Sequence, residues 1–189
     1  NPITSSDAYS STIYQFMYDT LLERDNETLE LEPKLATKWE ISPDHLIYTF
    51  YLRNDVYWQD GKKFTVNDII YSFERIQDPK VDAASLRVYY RDVSKVEKID
   101  DYTVRFTYAF PYFKALEFLG GLPIVPKHIF DDGTDFNKNP AGRAPIGNGP
   151  YKFKEWKTGR YIVIEKNENY WGEKAKLEGI MFRVITDSN

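Results

Sequence analysis

The sequence predicts a mixed α/β (α+β) fold, and three stretches carry that expectation. Leu46 to Arg53 alternates strictly, with Leu46, Tyr48, Phe50 and Leu52 on one side and Ile47, Thr49, Tyr51 and Arg53 on the other, the period of a strand. Asp60-Gly61 is a tight-turn pair between two short extended pieces, Val56–Trp58 and Lys62–Phe64. Behind Thr65, a capping residue with Asp68 three positions on, Ile69, Ile70, Phe73 and Ile76 recur at helical spacing. Strands and helices mingle without regular βαβ alternation, so a doubly wound parallel sheet is not expected.

The other elements follow in chain order. Asn1 to Asp7 reads as a polar loop, and Ile13, Phe16, Met17 and Leu21 then mark the apolar face of a helix. Asp25-Asn26 turns the chain between extended pieces around Leu21-Leu22 and Leu29–Leu31. Pro33 to Trp39 is expected as a short helix, because proline suits a first helical position. Asp78-Pro79 stops the helix that Thr65 opens. Val93–Ile99 and Tyr102–Tyr108 read as a strand pair around Asp100-Asp101, and a short helix over Tyr112–Leu119 ends at Gly120-Gly121. Pro126 opens another helical turn, and residues 131–149 carry little regular pattern. Tyr151–Trp156 and Arg160–Lys166 form a hairpin around Thr158-Gly159, with a final strand over Ile180–Ile185.

Composition narrows the function classes. At 189 residues the chain suits one substantial domain, or a domain with a small subdomain. A net charge of −4 gives no basic patch for nucleic acid. The absence of cysteine excludes disulfides, thiolate metal sites and cysteine nucleophiles. No apolar run approaches the ~20 residues of a membrane span. The chain carries no leader and no initiating Met, and so reads as a processed form or a cut piece. The 15 Tyr, 12 Phe and 4 Trp suit a cleft that is partly apolar and partly hydrogen-bonding, or simply place Tyr where strands use Phe.

Catalytic and metal signatures are weak. His45 and His128, the two histidines, lack metal-ligand spacing. The acidic loop Asp131-Asp132-Gly133-Thr134-Asp135 lacks the ligand order and terminal Glu of an EF-hand, which favours a solvated loop. Nucleophile-elbow, P-loop and dinucleotide motifs are missing. No cofactor, metal or enzymatic activity is expected. The runner-up function is a carbohydrate-binding or glycoside-hydrolysing domain using the tyrosine-rich surface.

Four landmarks, in order and spacing, carry a family resemblance. Tyr18-Asp19-Thr20-Leu21-Leu22 precedes Pro33-x-Leu35-Ala36-x-x-Trp39. Asp44 and the alternating strand lead to Leu52-Arg53, Trp58-x-Asp60-Gly61 and Phe64-Thr65-x-x-Asp68. Ile124-Val125-Pro126-Lys127-His128 is the third. Gly147-Asn148-Gly149-Pro150-Tyr151, Glu155-Trp156 and Asn167-x-x-Tyr170-Trp171 form the fourth. Together they resemble family 5 of the extracytoplasmic solute-binding proteins, the peptide, dipeptide and nickel type of ABC importers. Most of these residues read as structural: Gly61 for a turn, Thr65 for a cap, Trp39 and Trp58 for cores, Gly147 and Gly149 for sharp turns.

The resemblance implies lobe I of a type II-like, two-lobe periplasmic-binding-protein fold, with the partner lobe absent. It implies a core subdomain from residues 1–44 and 145–189, an inserted subdomain over 45–144, and a hinge where the chain crosses over Ile185–Asn189. It implies capture of an oligopeptide, dipeptide or similar solute, and delivery to an ABC permease with its ATPase subunits. It also implies a periplasmic or extracellular location, free or lipid-anchored, in a bacterium or archaeon. The ligand residues it points to are Ser5, Ser6 and Asp7, Tyr89 and Tyr90, and Leu119, Gly120 and Gly121. Serine hydroxyls and a helix N-terminus suit ligand polar groups, tyrosines suit a wall with a polar tip, and the glycines suit strand addition. The alternative is that the serines cap the first helix and the tyrosines pack internally.

Overall fold

A computed structural model describes residues 1–5 and 7–185. Its centre is a four-stranded antiparallel sheet, ordered β3 (Ala36–Ile41), β4 (Ile47–Leu52), β6 (Thr103–Tyr108) and β5 (Val93–Asp100). The alternation read in the sequence appears here: Tyr48, Phe50 and Leu52 of β4 are buried, as are Val104, Phe106 and Tyr108 of β6. Helix α2 (Val66–Gln77) covers that apolar surface. Val66, Ile69, Phe73 and Ile76 make its buried stripe, and the Phe73 ring meets Phe106 edge-on at 6.0 Å.

Local chemistry sets the start of α2. The Thr65 hydroxyl accepts from the Asn67 amide at 3.3 Å, and the Asp68 carboxylate accepts from the Thr65 amide at 3.0 Å. Asp68 also accepts from the Lys127 amide at 2.9 Å, so the same carboxylate anchors α5 (Lys127–Phe130). Burial pushes this carboxyl up from its ordinary value. Ahead of α2, Gly61 turns with φ +84°, the left-handed region that glycine tolerates, and its amide bonds the Trp58 carbonyl at 2.8 Å.

A second, three-stranded sheet joins β7 (Tyr151–Lys157), β8 (Tyr161–Lys166) and β9 (Gly179–Arg183), and α1 (Ala8–Met17) packs on β7. The short hairpin β1 (Leu22–Arg24) and β2 (Leu31–Pro33) links α1 to the central sheet. The break expected at 44/45 runs through the turn that joins β3 to β4 within one sheet.

Two local expectations need correction, and one helix is new. Pro33 to Trp39 is not a helix: Pro33 ends β2, and Ala36–Ile41 is a strand pairing Trp39 with Phe50 and Ile41 with Tyr48. The open edge of β4 supplies a full ladder, and Thr37, Trp39 and Ile41 are strand formers, so tertiary pairing overrides the proline signal. The first helix stops at Met17, before Leu21. Helix α3 (Ala84–Tyr90) carries no side-chain cap that would announce it in the sequence. Instead, the Arg87 guanidinium donates to the carbonyls of Ile76, Asp78 and Val81 at 2.9, 2.7 and 3.0 Å, closing the α2–α3 corner. The crossing segment expected over Ile185–Asn189 lies outside the described residues apart from Ile185. Among the described residues, no helix is long and apolar enough to cross a membrane.

Candidate functional site

A groove of about 490 Å³ runs between the end of α1, the β1–β2 hairpin and α4 (Ala115–Gly120). Leu22, Leu31 and Phe118 form its apolar floor, and Thr20, Arg24 and Glu117 give it polar edges. Arg24 and Glu117 face each other across it at 3.5 Å, each about half exposed. The floor continues outward, because Tyr89 stacks on Phe118 with ring centroids 4.3 Å apart and planes 18° from parallel. Tyr112 lies near-parallel to Phe118 at 5.9 Å. One tyrosine face is thus covered by its neighbour while Tyr89 remains 43% exposed, which is the geometry of an aromatic wall.

The expected ligand residues divide between this groove and the interior. Gly121 lines the groove beside Phe118. Its amide is already committed to the Glu117 carbonyl at 2.9 Å, so it has no free donor for strand addition. Gly120 faces inward: a Cβ there would sit 2.9 Å from the Leu22 side chain, and this close approach explains the glycine. Leu119 is fully buried. Tyr90, expected on the cleft wall, is a core residue at 2% exposure, its hydroxyl donating to the Phe118 carbonyl at 3.0 Å. That bond fixes the residue on which Tyr89 stacks.

The N-terminal residues sit apart from the groove. Ser5 lines a separate cavity of about 150 Å³ with Ile13, Tyr14, Phe153 and Trp156. Asp7, rather than a serine, caps α1, accepting from the Ser10 amide at 2.8 Å. That bond holds its carboxyl below the ordinary value. Ser6 lies outside the described residues.

Sequence reasoning missed Phe118, Arg24 and Glu117. Phe118 sits beside Leu119 in the expected helix, yet nothing in its spacing pairs it with Tyr89. Also missed was the network around Asp19. This carboxylate is 7% exposed, and its Oδ2 accepts from the Tyr170 hydroxyl at 2.9 Å and the Trp171 indole N–H at 3.1 Å. The Asp19 amide donates to Asn148 Oδ1 at 2.9 Å. Burial raises the carboxyl to about 6, against the pull of Lys34 and the two donors.

The two histidines and the acidic loop serve local structure. His45 holds a left-handed turn at φ +56°, and His128 Nε2 lies 2.6 Å from Asp60 Oδ2, tying the Asp-Gly turn to α5. Asp132 accepts from the Thr134 amide and hydroxyl, and Asp135 from the Asn137 amide. Among the described residues, no three His, Cys, Asp or Glu side chains are grouped to hold a metal.

Known proteins share this architecture. The family model of the bacterial extracellular solute-binding proteins, family 5, matches residues 30–189. The oligopeptide-binding protein AppA of Bacillus subtilis is 33% identical over all of this chain, which covers 35% of that protein. The dipeptide-binding protein of Escherichia coli is 30% identical over 92% of the chain, covering 36% of that protein. The chain therefore spans about a third of the length of these relatives. Among solved structures, Campylobacter jejuni NikZ in complex with Ni(L-His) superposes with a TM-score of 0.89 at 34% identity, over 99% of this chain and 37% of that one. Helicobacter pylori DppA in complex with the peptide STSA gives 0.87 at 34% identity, over 99% of this chain and 40% of that one. The chain belongs to the bacterial extracellular solute-binding proteins, family 5.

Proposed function

We propose that this chain is one lobe of a solute-binding protein that captures a small peptide between two lobes and hands it to an ABC permease driven by its ATPase subunits. The groove beside α4 is one wall of the cleft. Its apolar floor takes a side chain, the free face of Tyr89 takes a further apolar or planar group, and Arg24 and Glu117 offer one charge of each sign to a zwitterionic ligand. The supporting observation is the near-complete overlay of this chain on a peptide-bound DppA structure. Ser5, Ser6 and Asp7 stand as a second contact region and Gly121 as a position on the groove lining; Tyr90 and Leu119 act from beneath, by holding Phe118 and α4, and Gly120 by packing α4 on Leu22.

A single wall supplies only part of the contacts. Association costs several kcal/mol of lost ligand freedom before any affinity appears, so the partner lobe is needed to close over the ligand. The whole protein works at the outer face of the membrane, free or lipid-anchored. The test is peptide-dependent thermal stabilisation of a protein carrying both lobes, with Tyr89→Ala and Phe118→Ala as weakened variants. Stabilisation by peptides that both variants reduce supports the reading; a response to no peptide, or one indifferent to both, overturns it.

A further inference from the structure

The groove beside α4 offers two kinds of contact, and they differ in what they can tell apart. Arg24 and Glu117 face each other at 3.5 Å, and Lys114 lies 4.0 Å from the same Glu117 carboxylate, all three about half exposed. Charges of both signs address the amino and carboxyl ends that every short peptide shares. They orient a peptide without reading its side chains. Discrimination among side chains therefore falls to the apolar surface.

Leu22 and Leu31 give that surface a floor that any apolar group can cover. Beyond them it is a run of rings. Tyr89 lies on Phe118 with centroids 4.3 Å apart and planes 18° from parallel. Tyr112 is 3° from parallel to Phe118 at 5.9 Å, and Phe113 meets Tyr112 edge-on at 5.5 Å. The stack is fixed from behind, because the Tyr90 hydroxyl donates to the Phe118 carbonyl at 3.0 Å and Leu119 is fully buried. Phe118 covers one face of Tyr89, yet 43% of Tyr89 stays exposed, so its second face is open. A ring held in this way presents a flat, preorganised π surface and loses little side-chain freedom on contact.

We infer that the groove selects peptides bearing an aromatic side chain, whose ring stacks on the open face of Tyr89. This rests on the groove being a peptide-binding wall, and it names the class of peptide that the wall prefers. A saturated ring of the same size buries at least as much apolar area, so burial alone gives the aromatic ring no advantage. Offset stacking adds to burial, and the preference for the aromatic ring is expected at about three- to tenfold in Kd.

The test is calorimetric titration of the two-lobe protein with matched pairs of short alanine-based peptides. The members of a pair carry either phenylalanine or cyclohexylalanine at the same position. Wild type and Tyr89→Phe are expected to prefer the aromatic member. Tyr89→Leu keeps an apolar cover over Phe118 and is expected to bind both members alike. A second readout needs no folded Tyr89→Leu: the Tyr89 ring protons, assigned by their loss in Tyr89→Phe, should shift upfield with the aromatic member and not with the saturated one. Binding without an aromatic preference, a preference that Tyr89→Leu retains, or Tyr89 ring protons that do not move would each overturn this inference while leaving peptide capture intact. Binding by no peptide at all would remove both.

Discussion

Gly147→Ala tests whether the Gly-Asn-Gly-Pro loop is a turn or a site of close backbone approach. A Cβ at Gly147 would lie 1.9 Å from the Met17 carbonyl oxygen, a backbone atom that no side-chain rotation can move. Relief requires separating the loop from the end of α1. That movement breaks the bond from the Gly149 amide to Met17 at 2.8 Å, and the pair that Gly147 makes with Gln59, at 2.9 and 3.0 Å. Three bonds at about 1 kcal/mol each make a cost of about 3 kcal/mol. For a chain of this size that is a fall in Tm of about 6–12 °C. Gly142→Ala is the control, because its added Cβ meets nothing closer than 4.0 Å. Thermal and urea unfolding of both variants measure the difference. A Gly147→Ala stability within about 1 kcal/mol of Gly142→Ala would refute the close-approach explanation. Gly147→Asn discriminates further, since asparagine tolerates a left-handed turn but carries the same Cβ.

Three other outcomes follow from the structure. Thr65→Ala removes the cap of α2 and is expected to cost about 1 kcal/mol in chemical unfolding, a loss that Thr65→Ser largely avoids. Tyr90→Ala empties a core position and is expected to cost about 3–5 kcal/mol, whereas Tyr89→Ala, at an exposed stack, is expected to lower ligand affinity with under about 1 kcal/mol lost in stability. Asp19 is raised from 3.8 to about 6, so the folded state holds its proton more tightly than the unfolded chain. Its contribution is therefore fully present below about pH 3.8 and is lost as pH rises through 6, a span worth on the order of 3 kcal/mol. Urea unfolding of the wild type, referenced to Asp19→Asn, should show relative stability falling from pH 4.5 to 7; a flat difference would contradict it.

What the sequence made legible was local. The alternation of Leu46–Arg53, the Asp60-Gly61 turn and the Thr65–Asp68 cap each depend on neighbours within a few residues, and each stands in the structure as read. The errors arise where distant partners decide. Ala36–Ile41 is a strand because β4 offers an edge, and Gly147 is a glycine because of Met17, not because of its own φ. The landmarks Tyr18-Asp19 and Tyr170-Trp171 were visible, but nothing in either reveals a hydrogen bond across 151 positions. Of the ligand residues the resemblance pointed to, Gly121 lines the candidate groove and Tyr89 stacks beside it, while Phe118, which joins them, belongs to a contact between helices that no periodicity encodes.

The most direct measurement of the central claim is calorimetric titration of short peptides into a protein carrying this lobe and its partner lobe. The expected result is saturable binding by at least one class of di- to oligopeptide, with a rise in stability of about 2.7 kcal/mol at a hundredfold excess over Kd. Tyr89→Ala and Phe118→Ala should weaken that binding while Gly142→Ala leaves it unchanged. Absence of binding across the peptide panel, or binding that neither wall variant alters, would contradict the assignment of this groove as a peptide-binding wall.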